Sequence, residues 1–541
     1  MTEPFEPPSR EAPSVSVEAL AWTAAVAVFL AIRLGALLNL PVAGAELVHL
    51  SGAWQARIGV EDDRFAATLF QALSALFLEG STSEVPARLL AFAATATIPG
   101  ALWLLRPVLG RSGALLTLII FAFDAPAVVL GATATAMGFD LALVVWLATI
   151  VLREWRLKWG WAAVAFGCAC SGPLTLPLLL ALAIREATRR TRPGRTMVLA
   201  LAAGTAAGVL ATSLRFGFGW DGLRVAPFDL FAASYEERWS SATTLALSFV
   251  YLWPAFALGL GALGWRLYRW YDHTEAFEPV AIGWPVFAIA WWLTDLTGHG
   301  GVAATAVTVP LALLTGPAIV RAWPIARRAD WRVAGMALAF GALLAGMAIA
   351  VVLDWAERGQ TGPASEVARV ALFSGAGVML VGLVATMPAA RRALLVIPAA
   401  GLFLLASAAI NIAFVPADDS LPSPFVPDQA RALRDIAISR AAANGGEIVI
   451  HPDFAQALTW PFRDSGDVLV ASRVPPGAAV VLWPAALPRP EGFDVLEGNW
   501  ALTRERLSPT RDPLDYLHWL FDRNTLRAAA STMTVYVKGS E

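Results

Sequence analysis

The sequence predicts a mainly α-helical membrane protein: a polytopic bundle of about thirteen transmembrane spans followed by a small extracytoplasmic α/β domain. Three observations predict it. Of the 541 residues, 57% are hydrophobic and 15% charged, with a mean hydropathy of +0.60, whereas soluble domains carry about 45–50% apolar and about 25% charged residues. The apolar residues fall in runs of the length a helix needs to cross a hydrocarbon core, about 20 residues. The basic residues cluster between those runs, as the positive-inside rule requires of cytoplasmic loops. The 22 tryptophans suit a protein with many interfacial anchors. A net charge of -2 gives no reason to expect nucleic acid as a partner.

Residues 1–17 are polar and Pro-rich with one arginine, and read as a cytoplasmic tail. No basic n-region precedes the first apolar run and no small-residue cleavage site follows it, so 18–38 reads as an uncleaved first span. The first outer loop, 39–85, is amphipathic and predicts one or two helices lying at the membrane surface. Further spans are expected at 86–106, 112–131, 134–152, 196–214, 241–265, 279–294, 301–320, 332–354, 366–387 and 392–414. The run 160–184 is broken by Ser171-Gly172-Pro173. Basic clusters at 153–158 and 185–195 flank it, and both are cytoplasmic only if the run enters and returns as two short helices. Clusters at 266–269, 321–332 and 391–392 fit the same sidedness. The N-terminus is then cytoplasmic and the C-terminus outside the cytoplasmic (inner) membrane. The short segment 124–138 becomes an external turn. Cys168 and Cys170, the two cysteines, sit in one apolar stretch and read as small packing residues.

The transmembrane unit therefore covers 18–414, the Pro- and Asp-rich stretch 415–427 is a linker, and 428–541 is the outer α/β domain. In that domain 428–444 and 515–522 read as helices, and 447–450, 478–483 and 532–538 as strands.

No phosphate-cradling P-loop, nucleophile-elbow GxSxG or HExxH is present, so chemistry is expected of polar residues at the outer face. Glu46, beyond the first span, has the reach and type of a general base, or is a solvated loop acid. His49, one helical turn on, shares its face; together they are half of a divalent-metal site. Asp140 reads as an acid at the start of the fourth span, a dipole-compensating group or a functional one. Asp124, beside Pro126, reads as a turn residue. His299 in its Gly-rich loop, Arg215 and Arg224 are outer-side candidates for a lipid phosphate, or for ordinary surface pairing.

The layout of one span, a long outer loop opening on an acid, many further spans and an outer C-terminal domain resembles the GT-C glycosyltransferases. Within them it is similar to the PMT-like and aminoarabinose-transferase-like bacterial branch. Glu46 stands where that family's acidic motif opens the first loop. The segment 80–88, GSTSEVPAR, resembles its "G…R" at the second span. Residues 109–140, ending on Asp140, resemble its "LG…AL…P…D" stretch. VPLALLTG at 309–316 resembles one of its spans. In the tail, 448–464 (IVIHPDFAQALTWPFRD) and 515–538 resemble its outer domain. The sequence departs from the family in having a single acid, Ala45-Glu46, no lysine at Cys170-Ser171-Gly172-Pro173, and His299-Gly300-Gly301 in place of an Arg-Tyr pair.

The resemblance implies an enzyme that moves a sugar, with inversion, from a polyprenyl-phosphate-linked donor in the bilayer to an extracytoplasmic acceptor. It implies Glu46 as base and Asp140 as an orienting acid. His49, Arg215, Arg224 and His299 would stand near the carrier phosphate; its charge would be met by Arg215, Arg224 and His299 or, alternatively, by a divalent metal ion at Glu46 and His49. The departures leave a second reading, a non-catalytic scaffold of an envelope glycan pathway. A transporter or flippase is the third; inverted repeats and charges deep in spans, which mark that class, are not evident in the sequence.

Overall fold

In the computed structural model the described residues are 16–40, 84–153, 173–188, 259–267, 279–294, 300–326, 427–458, 460–463, 468–503 and 531–538, with single residues and short pieces between them, among them Val42, Glu46, Leu50, Ser74, Leu78 and part of 402–414. The protein is a multi-pass membrane protein. Among the described residues, Val17–Asn39 (α1) and Val85–Leu104 are long and apolar enough to cross a bilayer, and Arg111–Ala122 with Ala125–Ala132 forms a third, bent candidate. The expected spans 332–354 and 366–387 lie outside the described residues, and 196–214, 241–265 and 392–414 largely so.

α1 begins on Ser16, whose hydroxyl accepts from the Ala19 N–H, and runs 23 residues, about 35 Å at 1.5 Å per residue. Its N-terminal end is marked by Glu18, which pairs with Arg106 at 3.1 Å and Arg111 at 3.2 Å. Trp22 and Trp103 meet edge-to-face there, and the Arg106 guanidinium lies over Trp103. The stretch 85–104 divides into α2 (Val85–Ala96) and α3 (Ile98–Leu104), with Pro99 near the restart. A short α4 (Arg106–Leu109) and Gly110, at φ 78°, turn the chain into α5 (Arg111–Ala122).

The run 112–131, expected as one span, is two helices bent by 68°: α5 and α6 (Ala125–Ala132). Pro126 has no N–H to continue the ladder, and Asp124 accepts instead from the Ala127 N–H at 3.2 Å, capping α6. Asp124 is therefore buried at a helix break, and the expected external turn at 124–138 is mostly helix. α7 (Ala136–Leu152) follows. A 3-10 turn (Pro173–Thr175) leads into α8 (Leu176–Thr188), and α9 (Pro279–Thr294) and α10 (Gly300–Ala326) complete the labelled bundle.

Small residues let these helices approach closely, as membrane packing demands. α10 lies on α5 where Gly316 faces Gly113 and Thr117, and a Cβ at Gly316 would fall on the Gly113 carbonyl oxygen and the Thr117 hydroxyl. A Cβ at Gly138 would fall on the Leu130 carbonyl oxygen, so only glycine fits at the α6–α7 corner. Asn39, at the C-terminal end of α1, donates to the Ala413 carbonyl at 3.0 Å.

Beyond the bundle, α11 (Pro427–Asn444) ends on Gly445 at φ 61°, the left-handed position that glycine takes without steric cost. β1 (Glu447–Ile450), α12 (Pro452–Leu458), β2 (Val468–Val470), β3 (Ala478–Pro484), β4 (Phe493–Thr503) and β5 (Ser531–Lys538) follow. They form one mixed sheet in the order β2-β1-β3-β5-β4. β1 is parallel to β2 and β3, and β5 is antiparallel to β3 and β4. β3 is buried along its whole length, as a central strand covered on both faces must be. One face packs Val480 and Leu482 with Leu433, Ala437, Phe454 and Leu458 of α11 and α12. The strands expected at 447–450, 478–483 and 532–538 are present; β2 and β4 are additional, and 515–522 lies outside the described residues.

Candidate functional site

The C-terminal end of α1 leaves carbonyls without intrahelical donors. Arg88, in the first turn of α2, supplies them: its Nη1 donates to the Leu37 carbonyl at 3.2 Å and the Leu40 carbonyl at 2.8 Å. A cation at a helix C-terminus is also favoured by the dipole. The other edge of the same guanidinium grips Glu46, with Nε to Oε1 at 2.6 Å and Nη2 to Oε2 at 2.7 Å. This is the two-pronged geometry that makes arginine–carboxylate pairs strong. The Ala134 N–H, between α6 and α7, donates to Oε1 at 2.7 Å. Glu46 is 2% exposed and Arg88 0%. Glu46, expected as a carboxylate near water, is instead the buried centre of a cluster that joins α1, the loop after it, α2 and the α6–α7 corner. Of about four lone-pair positions on a carboxylate, the described residues engage three: two on Oε1 and one on Oε2.

Asp140 lies one turn inside α7 rather than at its start, again buried at 3%. Its Oδ2 accepts from the Leu174 N–H at 2.8 Å, and its Oδ1 faces the Thr175 hydroxyl at 3.5 Å. The helix it serves is therefore not its own: it caps the segment that opens α8. Asp140 stands four residues beyond Ala136, about 6 Å along the helix, on the element that begins beside Glu46.

A second buried charge cluster adjoins the helix break. Arg33 of α1, 0% exposed, donates from Nη2 to the Phe121 carbonyl at 3.1 Å and lies 3.5 Å over the Phe29 ring centroid. Asp124 caps α6 through the Ala127 N–H, with Arg33 and Thr308 of α10 nearby. The cation thus sits at the C-terminal end of α5 and the anion at the N-terminal end of α6, each on the side its helix dipole favours.

His49, Arg215, Arg224 and His299 lie outside the described residues. Among the described residues no group of three or more His, Cys, Asp or Glu is gathered closely enough to hold a metal ion. A divalent ion at Glu46 would share a carboxylate both of whose oxygens accept from Arg88. Sequence reasoning missed Arg33 and gave Arg88 no role. An arginine inside an otherwise apolar span is the signal that marks both.

The described residues thus form an apolar helical bundle followed by a mixed sheet. Two solved structures share that architecture over nearly the full chain. ArnT from Cupriavidus metallidurans in the apo state gives a TM-score of 0.51 at 16% identity, covering 97% of this chain and 100% of that one. ArnT from the same organism bound to undecaprenyl phosphate gives 0.50 at 14% identity, covering 98% and 100%. The likeness is one of fold. No family model matches the chain, and no curated protein matches it.

Proposed function

We propose that this protein is a GT-C-type membrane glycosyltransferase that moves a sugar from a polyprenyl-phosphate carrier to an acceptor outside the cytoplasm, with inversion. The observation that carries the reading is the chain-long fold match to ArnT, one of whose structures holds undecaprenyl phosphate.

On this reading the acceptor hydroxyl or amine donates to Glu46 Oε2, the oxygen with a single partner among the described residues. Glu46 takes that proton as the acceptor attacks the anomeric carbon, and the carrier phosphate departs with the bonding pair. Arg88 and the Ala134 N–H fix the carboxylate, so its position is set before substrate arrives. Charge growing on the leaving phosphate needs cationic partners, and Arg215, Arg224 and His299 are the candidates. Asp140 sets the mouth of α8 and orients the acceptor or the sugar. The prenyl chain lies between helices, which accounts for a sugar transferase built as a membrane bundle. The acceptor class includes glycolipid, glycan or protein.

One observation favours the second reading, a non-catalytic scaffold: the Glu46 carboxylate is almost wholly engaged by Arg88 and Ala134 and is 2% exposed. Mass spectrometry of the envelope glycans separates the two, using wild type, a deletion, and the deletion complemented with Glu46→Gln at normal expression. Loss of a sugar on deletion, not restored by Glu46→Gln, supports the transferase. Full restoration by Glu46→Gln removes Glu46 as base and gives the scaffold reading the lead.

A further inference from the structure

Trp460 belongs by sequence to the C-terminal unit, yet it is buried elsewhere. It is 4% exposed and packs with Val42, Leu50, Leu78, Ala87 and Ala134, apart from the two apolar clusters of the sheet itself. The turn that carries it is fixed on both sides. Leu458 and Phe462 are anchored in the core under the sheet, and the Phe462 N–H donates to the Leu458 carbonyl at 3.1 Å. Arg463 donates from Nη1 to the Trp460 carbonyl at 2.8 Å, and its guanidinium lies 4.0 Å from the Trp460 ring centroid. With its flanks held by the sheet, the indole is presented outward as a rigid apolar knob.

The residues that receive it surround the acid–arginine pair. Ala134 supplies the N–H that holds Glu46. Ala87 precedes Arg88. Val42 and Leu50 stand four residues to either side of Glu46 in the sequence. Of the five receiving residues, Ala134 is itself a partner of Glu46, Ala87 adjoins its partner Arg88, and Val42 and Leu50 bracket Glu46 in the sequence.

We propose that Trp460 is a positioning residue for the Glu46–Arg88 pair, seated by the C-terminal unit over the segments that hold it. The sheet is then the closing piece of the site in the bundle, with its largest contribution made by one side chain. The catalytic part of this inference rests on the transferase reading; the seating does not. A large-to-small change at Trp460 opens space beneath Ala134 and Leu50, and the carboxylate loses its fixed place while the sheet keeps its own core.

The test uses the full-length protein in membranes, with Cys168 and Cys170 replaced by Ala and a reporter cysteine introduced as Leu78→Cys, a position 0% exposed. Labelling by a water-soluble maleimide is followed with Trp460, Trp460→Ala and Trp460→Phe. The expected result is slow labelling with Trp460, labelling faster by about ten-fold or more with Trp460→Ala as the seat opens locally, and recovery of most of the protection with Trp460→Phe. Equal labelling rates in all three overturn the proposal, as does labelling of Trp460→Phe as fast as Trp460→Ala. The same variants, without the reporter, are scored for envelope glycan. Loss with Trp460→Ala and retention with Trp460→Phe supports positioning, and full product with Trp460→Ala removes it. If deletion of the protein changes no glycan, the transferase reading fails while the labelling still decides the seating.

Discussion

Replacing Arg88 by Met tests the central cluster most directly. Methionine keeps the apolar stem and removes all four hydrogen bonds: two to Glu46 and two to the carbonyls ending α1. Glu46 remains buried with, among the described residues, the Ala134 N–H alone. Removing one partner of a buried pair costs about 3–5 kcal/mol; at about 3 kcal/mol the folded population falls roughly 150-fold relative to the unfolded. Glu46→Gln alone also leaves a buried charge, so it costs in the same direction. The double variant Glu46→Gln with Arg88→Met leaves neither charge, and is expected to be more stable than the sum of the singles by about 1.5–3 kcal/mol. Arg88→Lys keeps the charge but cannot reach Glu46 and both carbonyls with one planar fork, and is expected to recover little. The assay is heat challenge of the detergent-solubilised protein with the surviving monodisperse peak read by size exclusion. Additive losses in the double variant, or an unchanged midpoint for Arg88→Met, would refute the pairing.

Other outcomes follow from the same geometry. Arg33→Met and Asp124→Asn are each expected to destabilise by about 2–4 kcal/mol and to compensate partly when combined, read by the same heat challenge. Asp140→Asn can still accept from the Leu174 N–H, so it is expected to fold normally and to lower glycan product; wild-type product would remove Asp140 from the site. Gly138→Val drives a side chain onto the Leu130 carbonyl oxygen and is expected to cost about 1–3 kcal/mol or more, seen as loss of monodisperse protein. Gly445→Ala places a Cβ at φ 61°, with an expected cost of about 1 kcal/mol measurable as a lowered midpoint.

Much of the bundle is legible in the sequence because hydropathy and length act locally. The first span, expected at 18–38, is α1 at Val17–Asn39, and the run 279–294 is α9 with the same limits. The break inside 112–131 is harder to read, because an apolar run looks the same straight or bent. Asp124-Ala125-Pro126 carries the signal, a capping acid before a residue that cannot donate, but its burial depends on Arg33 and Thr308 from distant parts of the chain. Glu46 and Asp140 stand out as acids among apolar residues; their partners do not. Arg88 reads as a flank of the second span until α1 brings its carbonyls alongside. Ala134 has no side-chain signal at all, since it acts through its backbone. Trp460 carries no sequence signal for its seat, because composition does not say which core an aromatic ring joins. β4 escapes because Asp494, Glu497, Gly498 and Asn499 dilute the alternation a strand shows.

The buried Arg33 also bears on how the protein is made. An arginine near a helix centre costs about 2.5–3.5 kcal/mol on entering a membrane by itself. The carbonyl that receives it lies 88 residues later in the chain, at Phe121, and Asp124 follows three residues on. When the first hydrophobic helix leaves the ribosome, neither Phe121 nor Asp124 has yet been synthesised. The contact between Arg33 and the Phe121 carbonyl can therefore form only once the third hydrophobic run has entered beside α1.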